Sequence, residues 1–452
     1  MATAVEQLAK NANWGALAKA TELKKRILFV LGALLVYRLG TYIPVPGIDP
    51  LVWQQIYDQK GGGILDMFNM FSGGALQRMT IFALNIMPYI SASIIMQLAA
   101  AMSPKLEALK KEGESGRMKI NQYTRYLTVL LATIQAYGLA IGLMGMSGPA
   151  GSAVINPGAF FVASTVITIV GGTVFLMWLG EQITARGIGN GITLIIFAGI
   201  VAELPRAFAS MLELGRQGQF NIVEMIGILL LIVAVIAFIV FMERAQRRVP
   251  VQYPKRQVGN QMSMAQQSHL PLKLNTAGVI PPIFASSLLL LPLTIVGFSG
   301  AEGNDITAGI ARFLQHGQPV YMMLYGALVA FFAFFYTAIV FNPQENAEML
   351  RKYGGFIPGI RPGASTADYL DYVLTRITTI GAVYLVLICL LPEIMMAHYS
   401  IPFYFGGTSL LIVVSVTMDT VAQIHSHLIA HQYEGLMKKT KLRGPRHSMG
   451  RR

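Results

Sequence analysis

A few residue groups in this chain have the types and spacing that chemistry would need. Gly187-Ile188-Gly189-Asn190-Gly191 has the glycine density of a phosphate-cradling loop. Such a loop follows a strand and opens a helix in a dinucleotide fold; here no strand-forming run precedes it, so a tight turn into the next apolar run fits better. His425, His427 and His431 cluster near the C-terminal end, and His427 and His431 share one helix face. No carboxylate completes a zincin-like motif, so a polar face toward headgroups or a partner is preferred to a metal site. Arg38, Glu181 and Asp419 lie within or beside apolar runs, where charge flags function. No regular series of Asp, Glu and His follows them, so a proton relay is poorly supported, and Arg38 is close enough to a run's end to snorkel. No Ser/His or paired-Asp set recommends a hydrolase, and the single cysteine, Cys389, can form neither an internal disulfide nor a metal-type pair. The sequence therefore points away from an enzyme and implies no cofactor or metal.

The elements that would carry these residues are long and apolar. The 452 residues are 54% hydrophobic and 13% charged, against about 25% charged in soluble domains, and the mean hydropathy is +0.54. Runs of membrane-crossing length recur near 27–43, 79–102, 127–146, 159–182, 190–208, 222–242, 276–297, 319–341, 377–397 and 404–424. Their length fits helices rather than the alternating strands of a barrel. The fifth is the weakest, interrupted by Glu203, Pro205 and Arg206. The first 23 residues lack the basic, apolar, small-residue order of a cleaved signal, so the first run is expected to stay as a span. With the N-terminus inside, 29 of the 35 Lys and Arg residues fall on the inner side: five before the first span, six in 103–126, Arg186, six in 243–275, four in 342–376 and seven in the tail. Five fall outside (Lys60, Arg78, Arg206, Arg216 and Arg312), and Arg38 lies within a span. That asymmetry places both termini on the cytoplasmic side. The expectation is an all-α polytopic protein of ten transmembrane helices.

Two spans share a motif. Pro88-Tyr89-Ile90-Ser91-Ala92-Ser93 and Pro281-Pro282-Ile283-Phe284-Ala285-Ser286 both read P-x-I-x-A-S, each in the second span of a five-span half. Five spans per half would invert one half relative to the other, and matching proline-broken helices would mark a pathway at their interface. The prolines are expected to kink these spans; the serines, Gln97 and Asn85 make one face partly polar, and helix–helix contact is the alternative reading of that face. Between the first two spans, Ile64 to Phe71 is apolar but too short to cross and has glycines on either side. It reads as a re-entrant or interfacial helix able to move as a unit, or as a loop touching headgroups. The cytoplasmic loops 243–275 and 342–373 are long. The second carries Gly354-Gly355-Phe356-Ile357-Pro358-Gly359-Ile360-Arg361-Pro362-Gly363, a spacing that suggests an ordered loop. Both read either as solvated basic loops or as docking surfaces. The chain divides into a cytoplasmic segment 1–26, an N-terminal half 27–208 with the short segment 61–76, a C-terminal half 209–424 and a basic tail 425–452.

In order along the chain, Met67 to Leu76, Ile86 to Ser93, Leu179 to Thr184, Gly187 to Gly191, His269 to Lys273, Gly278 to Pro281, Phe356 to Gly363 and Phe403 to Ser409 resemble the SecY family, the channel subunits of bacterial preprotein translocases. The resemblance runs from Lys24 to about Leu442. It implies two inverted five-helix halves around an hourglass pore, in the bacterial inner membrane. The channel would pass unfolded preproteins and release transmembrane segments sideways into lipid. Ile86, Ile90, Ile192, Ile196, Ile283 and Ile412 would form the constricting ring. Ile64, Leu65, Met67, Phe68, Asn69, Met70 and Phe71 would form a plug, and Ser91, Ser93, Gln97, Ala285, Ser286 and Ser287 would line a lateral gate between the second and seventh spans. Arg247, Arg248, Lys255, Arg256 and Arg361 would dock the SecA ATPase or the ribosome, with ribosomal RNA the only nucleic acid met. SecE and SecG would complete a heterotrimer, with signal peptides and lipid as the other contacts. The sequence departs from the family pattern at Asn85, where relatives usually carry glycine, and at Gly259-Asn260-Gln261-Met262, a loop tip often basic in relatives. The reading from another class is a secondary transporter of a small solute. It calls for polar binding groups at mid-membrane, which are sparse here.

Overall fold

The structure, a computed structural model, describes residues 21–60, 69–145, 147–148, 151–217, 222–253, 257–258, 261–262, 267–298, 318–399 and 407–441. A helix occupies each of the ten predicted places: α1 (Thr21–Gly40), α3 (Met87–Met102), α5 (Glu114–Gly145), α6 (Ala159–Arg186), α7 (Gly191–Arg216), α8 (Ile222–Arg244), α9 (Ile280–Phe298), α10 (Pro319–Val340), α12 (Ala364–Tyr399) and α13 (Gly407–Lys441). Shorter helices join them: α2 (Pro50–Lys60), α4 (Pro104–Lys111) and α11 (Pro343–Lys352). Among the described residues, seven helices are long and apolar enough to cross a membrane, while α3 and α9 are shorter apolar helices. Leu31, Leu35, Ile167, Leu230, Val233 and Leu387 are among many large apolar side chains left exposed. That surface is what a lipid solvent requires and water would not tolerate.

The second span begins later than its hydropathy implies. Residues 73–86 are a chain of turns, and the helix starts only at Met87, with Pro88 in its first turn. Pro281 and Pro282 stand likewise in the first turn of α9. The motif prolines therefore start helices rather than kink them: a first-turn N–H has no intrahelical acceptor, so proline forfeits nothing there. The fifth span differs in the opposite sense. α7 runs unbroken through Glu203, Pro205 and Arg206 to Arg216, since one proline removes one hydrogen bond and the packed apolar positions on both sides hold the helix together. Its start matches the expected tight turn: Asn190 caps it, its Oδ1 accepting from the Ile192 N–H at 3.1 Å.

Helix neighbours repeat between the halves. In the first, α3 packs on α5, α5 on α6 and α6 on α7; in the second, α9 packs on α10, α10 on α12 and α12 on α13. The halves meet where α9 lies against α3 and α5, and again where α13 lies against α7 and α1. One apolar core runs through both halves.

The two long loops, 243–275 and 342–373, form one body. A two-stranded antiparallel ribbon pairs β1 (Gln246–Gln252) with β2 (Gln267–Lys273) in register from Gln246↔Lys273 to Gln252↔Gln267. Gln252 and Phe356 exchange backbone hydrogen bonds of 2.9 Å, fastening the ribbon to the second loop. Val249, Val251, Leu272, Ile357, Leu370, Val373 and Ile377 share a separate apolar cluster beneath. Gly354, Gly359 and Gly363 hold φ of +74°, +83° and +114°, which explains the glycine spacing of that loop. Replacing fully buried Leu370 by alanine removes about 2–5 kcal/mol of packing from this cluster. Trypsin should then cut the ribbon at exposed Arg247 and Arg248 several-fold faster; unchanged cleavage would argue that the loops are held independently.

Candidate functional site

The site is built around the irregular stretch between α2 and α3. Residues 69–72 form a helical turn, and Asn69, Met70, Phe71 and Ser72 are all buried. Ile64, Leu65, Met67 and Phe68 lie outside the described residues. The chain then reverses through Gly73 and Gly74, at φ +64° and +81°. A Cβ at Gly73 would come within 2.9 Å of the Gly199 Cα on α7, and one at Gly74 within 2.5 Å of the Glu203 carboxylate. Only glycine lets the turn lie this close to α7.

Irregular backbone within an apolar core needs partners for its carbonyls, and side chains of neighbouring elements supply them. The Tyr37 hydroxyl donates to the Ser72 carbonyl at 3.2 Å and Arg38 Nη1 to that of Gly73 at 2.7 Å. The Asn85 Nδ2 donates to the Phe71 carbonyl. Trp53 Nε1 donates to the Leu76 carbonyl at 3.0 Å and Arg78 Nη1 to that of Thr41 at 3.2 Å. Asn69 works locally, its Oδ1 accepting from the Gln77 N–H at 2.9 Å. Arg38 therefore turns inward onto this backbone instead of merely snorkelling, and Tyr42 covers it, with Arg38 and Arg78 guanidinium carbons 5.1 and 4.2 Å from its ring centroid.

Asn85 acquires a physical account here. Its φ is +47°, a conformation that glycine adopts freely and asparagine tolerates better than most residues. A family glycine can thus be replaced by asparagine without moving the chain, and the new side chain holds the Phe71 carbonyl. Arg38, Asn69, Arg78 and Asn85 were named from the sequence, whereas Tyr37 and Trp53 carried no signal in it.

The six isoleucines share the main apolar core. Ile86, Ile90, Ile196, Ile283 and Ile412 are 0–6% exposed. Ile192 is less enclosed and lies against α6, its Cγ1 being 3.1 Å from where a Gly180 Cβ would stand. Met70 and Phe71 belong to the same cluster as these isoleucines. α3 and α9, the two P-x-I-x-A-S helices, are direct neighbours. Ser91, Ala285, Ser286 and Ser287 are buried, whereas Ser93 and Gln97 are half-buried and bonded to each other at 3.1 Å. The Ser286 hydroxyl is spent on the Ile283 carbonyl at 3.0 Å.

Elsewhere, Glu181 is engaged in a bidentate pair with Arg125, both bonds 2.8 Å, a structural tie between α5 and α6. Arg247, Arg248 and Arg361 are exposed on the cytoplasmic body, and Lys255 and Arg256 lie outside the described residues. No group of three His, Cys, Asp or Glu side chains among the described residues is placed to hold a metal ion.

This helical fold, with its apolar surface and single apolar core, matches that of known proteins. Residues 80–421 match the SecY family model. Protein translocase subunit SecY of Escherichia coli K12 is 56% identical over 424 residues, 94% of this chain and 96% of that one. SecY of Pseudomonas aeruginosa is 57% identical over 426 residues, covering 94% and 95%. The chain belongs to the SecY family. A solved protein-conducting channel shares the fold at TM-score 0.64 and 20% identity, covering 89% of this chain and 92% of its own. A SecY structure described for its plug domain, which stabilises the closed state and maintains a membrane seal, gives 0.63 at 20% identity with the same coverage. Sec61 from a canine ribosome-channel complex gives 0.60 at 19% identity, covering 89% and 92%.

The left-handed backbone at position 85 makes a sharp forecast. Asn85→Val adds strain of about 1–3 kcal/mol and removes the donor to Phe71, so the detergent-solubilised protein should inactivate several-fold faster at fixed temperature. Asn85→Gly should cost much less; equal half-lives for the two variants would remove backbone conformation as the reason for this residue.

Proposed function

We infer that this chain is the protein-conducting subunit of a Sec translocase, a channel rather than an enzyme, in the bacterial inner membrane. The observation that carries this reading, given the family, is the junction of the two halves. Two matching helices, α3 and α9, lie side by side, with buried isoleucines and a buried, separately tethered apolar segment behind them. Branched apolar side chains exclude water and ions by dewetting and offer few directed hydrogen bonds. Such a constriction accepts many passing sequences while staying closed at rest.

In this reading Ile86, Ile90, Ile192, Ile196, Ile283 and Ile412 constrict the pore, and 64–71 is the plug that fills the external funnel. Separation of α3 from α9 opens the way to lipid, where an apolar segment gains about 0.8 kcal/mol per buried CH₂. The serines of both motif helices and Gln97 line that seam. All ten helices cross the membrane, the halves are inverted, and both termini are cytoplasmic, as the charge asymmetry requires. The halves are 27–208 and 209–424. The cytoplasmic body presents Arg247, Arg248 and Arg361, with Lys255 and Arg256, to an ATP-driven motor of the SecA type or to a ribosome, and SecE- and SecG-type subunits complete the complex. Membership of the family supports these assignments, as does the single rigid body built from both loops.

Reconstituted with its small subunits and motor, the protein should import a signal-bearing precursor into vesicles. Transport of a small solute without precursor import would favour the transporter reading instead. Ile90→Ser and Ile283→Ser should each raise idle ion leak, and a photocrosslinker at 283 should capture an arrested precursor. An intact complex with wild-type leak and no crosslink would take both positions out of the pore.

A further inference from the structure

Among the described residues, Glu203 is the only charged side chain that is buried, at 5% exposure, and it lies within α7. A carboxylate in such surroundings persists only with a cation, and its presence at membrane depth demands a reason. Its cation is Arg78, whose Nη2 is 3.7 Å from Oε1. One helical turn further along α7, exposed Arg206 donates from Nη1 to the Gln77 Oε1 at 2.7 Å. Residues three apart on a helix share a face, so α7 grips two consecutive residues, one by charge and one by hydrogen bond. Those residues reach the short apolar segment directly. The Gln77 N–H donates to Asn69 Oδ1, and the Glu203 carboxylate sits where a side chain at Gly74 would be. Moving 69–72 outward must pull Asn69 from Gln77 and carry Gly74 away from Glu203.

We propose that Glu203, Arg206, Gln77 and Arg78 form a polar latch that sets how readily the plug leaves the funnel, and hence how strong a signal sequence the channel demands. The proposal rests on reading 64–71 as the plug. Glu203 and Arg206 act as positioning residues: they touch no precursor and work through the turn at Gly73-Gly74. Hydrophobic contacts of Met70 and Phe71 close the plug whatever the precursor. The latch adds a geometry-dependent, all-or-none increment, because an ion pair and a hydrogen bond anchored on one helix face are lost together when the segment swings.

The test uses the reconstituted complex and one precursor with two signals, full-length and shortened by two leucines. The ratio of shortened- to full-signal import should rise about tenfold in Glu203→Gln, the factor that about 1.4 kcal/mol makes in an equilibrium. Arg206→Gln, an exposed change that spares folding, should raise it in the same direction. Exchanging the charges, Arg78→Glu with Glu203→Arg, should return the ratio toward wild type where either single exchange does not. In a chain deleted for 62–70, Glu203→Gln should add nothing. An unchanged ratio in both Gln variants, beside a raised ion leak on deleting 62–70, overturns the latch and leaves the plug. An unchanged leak on that deletion overturns the plug reading, and the latch with it.

Discussion

Backbone carbonyls in an apolar interior must find donors, and this requirement governs the centre of the molecule. Residues 69–72 form a single helical turn, and 73–86 are irregular where neighbouring chain is helical. A long helix satisfies its own amides; this stretch closes part of its set through backbone turns and takes side-chain donors for the rest. Tyr37, Arg38, Trp53 and Asn85 are its side-chain donors, drawn from α1, α2 and the stretch itself. Each bond would be worth only about 1 kcal/mol net, yet an unmet buried carbonyl costs more than that. The segment is therefore held in one conformation by the penalty on all others.

That arrangement lets a channel be closed without being welded shut. Met70 and Phe71 join the isoleucine core, and returning either side chain to water forfeits about 1.5–3 kcal/mol. Between these donors lie Gly73 and Gly74, where positive φ marks a turn with no side chain to obstruct rotation. Apolar burial thus supplies closure, and polar anchoring supplies a fixed pivot. Ile90, Ile192, Ile196, Ile283 and Ile412 need no such anchoring, since they sit on helices that satisfy their own backbone.

Much of this was legible in the sequence, for identifiable reasons. Ten apolar runs became ten helices because lipid exposure makes hydropathy a direct record of the fold. The repeated motif named the two adjacent helices. What it misassigned was the role of its prolines, because a span drawn from hydropathy alone placed Pro88 in the middle of 79–102 when irregular chain fills the first third. Composition cannot separate an apolar helix from an apolar coil that borrows donors. Glu203, Pro205 and Arg206 read as an interruption for the same reason: hydropathy records their polarity and is blind to Arg78 and Gln77, which lie more than 120 positions earlier. The cytoplasmic body was hidden too. Val249, Val251 and Leu272 alternate as a ribbon should, but their partner cluster comes from a loop about 100 residues on.

These long-range ties share a direction. The stretch 69–78 is fastened to α1 and α7, within the first half, and the two-stranded ribbon to α12 and its preceding loop, within the second. Between α3 and α9, the Ser286 hydroxyl is spent on the Ile283 carbonyl and Ser93 on Gln97, each within its own helix. The seam is consequently an apolar contact between two internally braced bodies. Apolar contacts have no preferred partner, so a passing hydrophobic segment can replace one face of the seam at little net loss. A seam laced by directed hydrogen bonds would have to break them for every substrate. With each half braced separately, the contact between α3 and α9 is one for which an apolar helix could substitute.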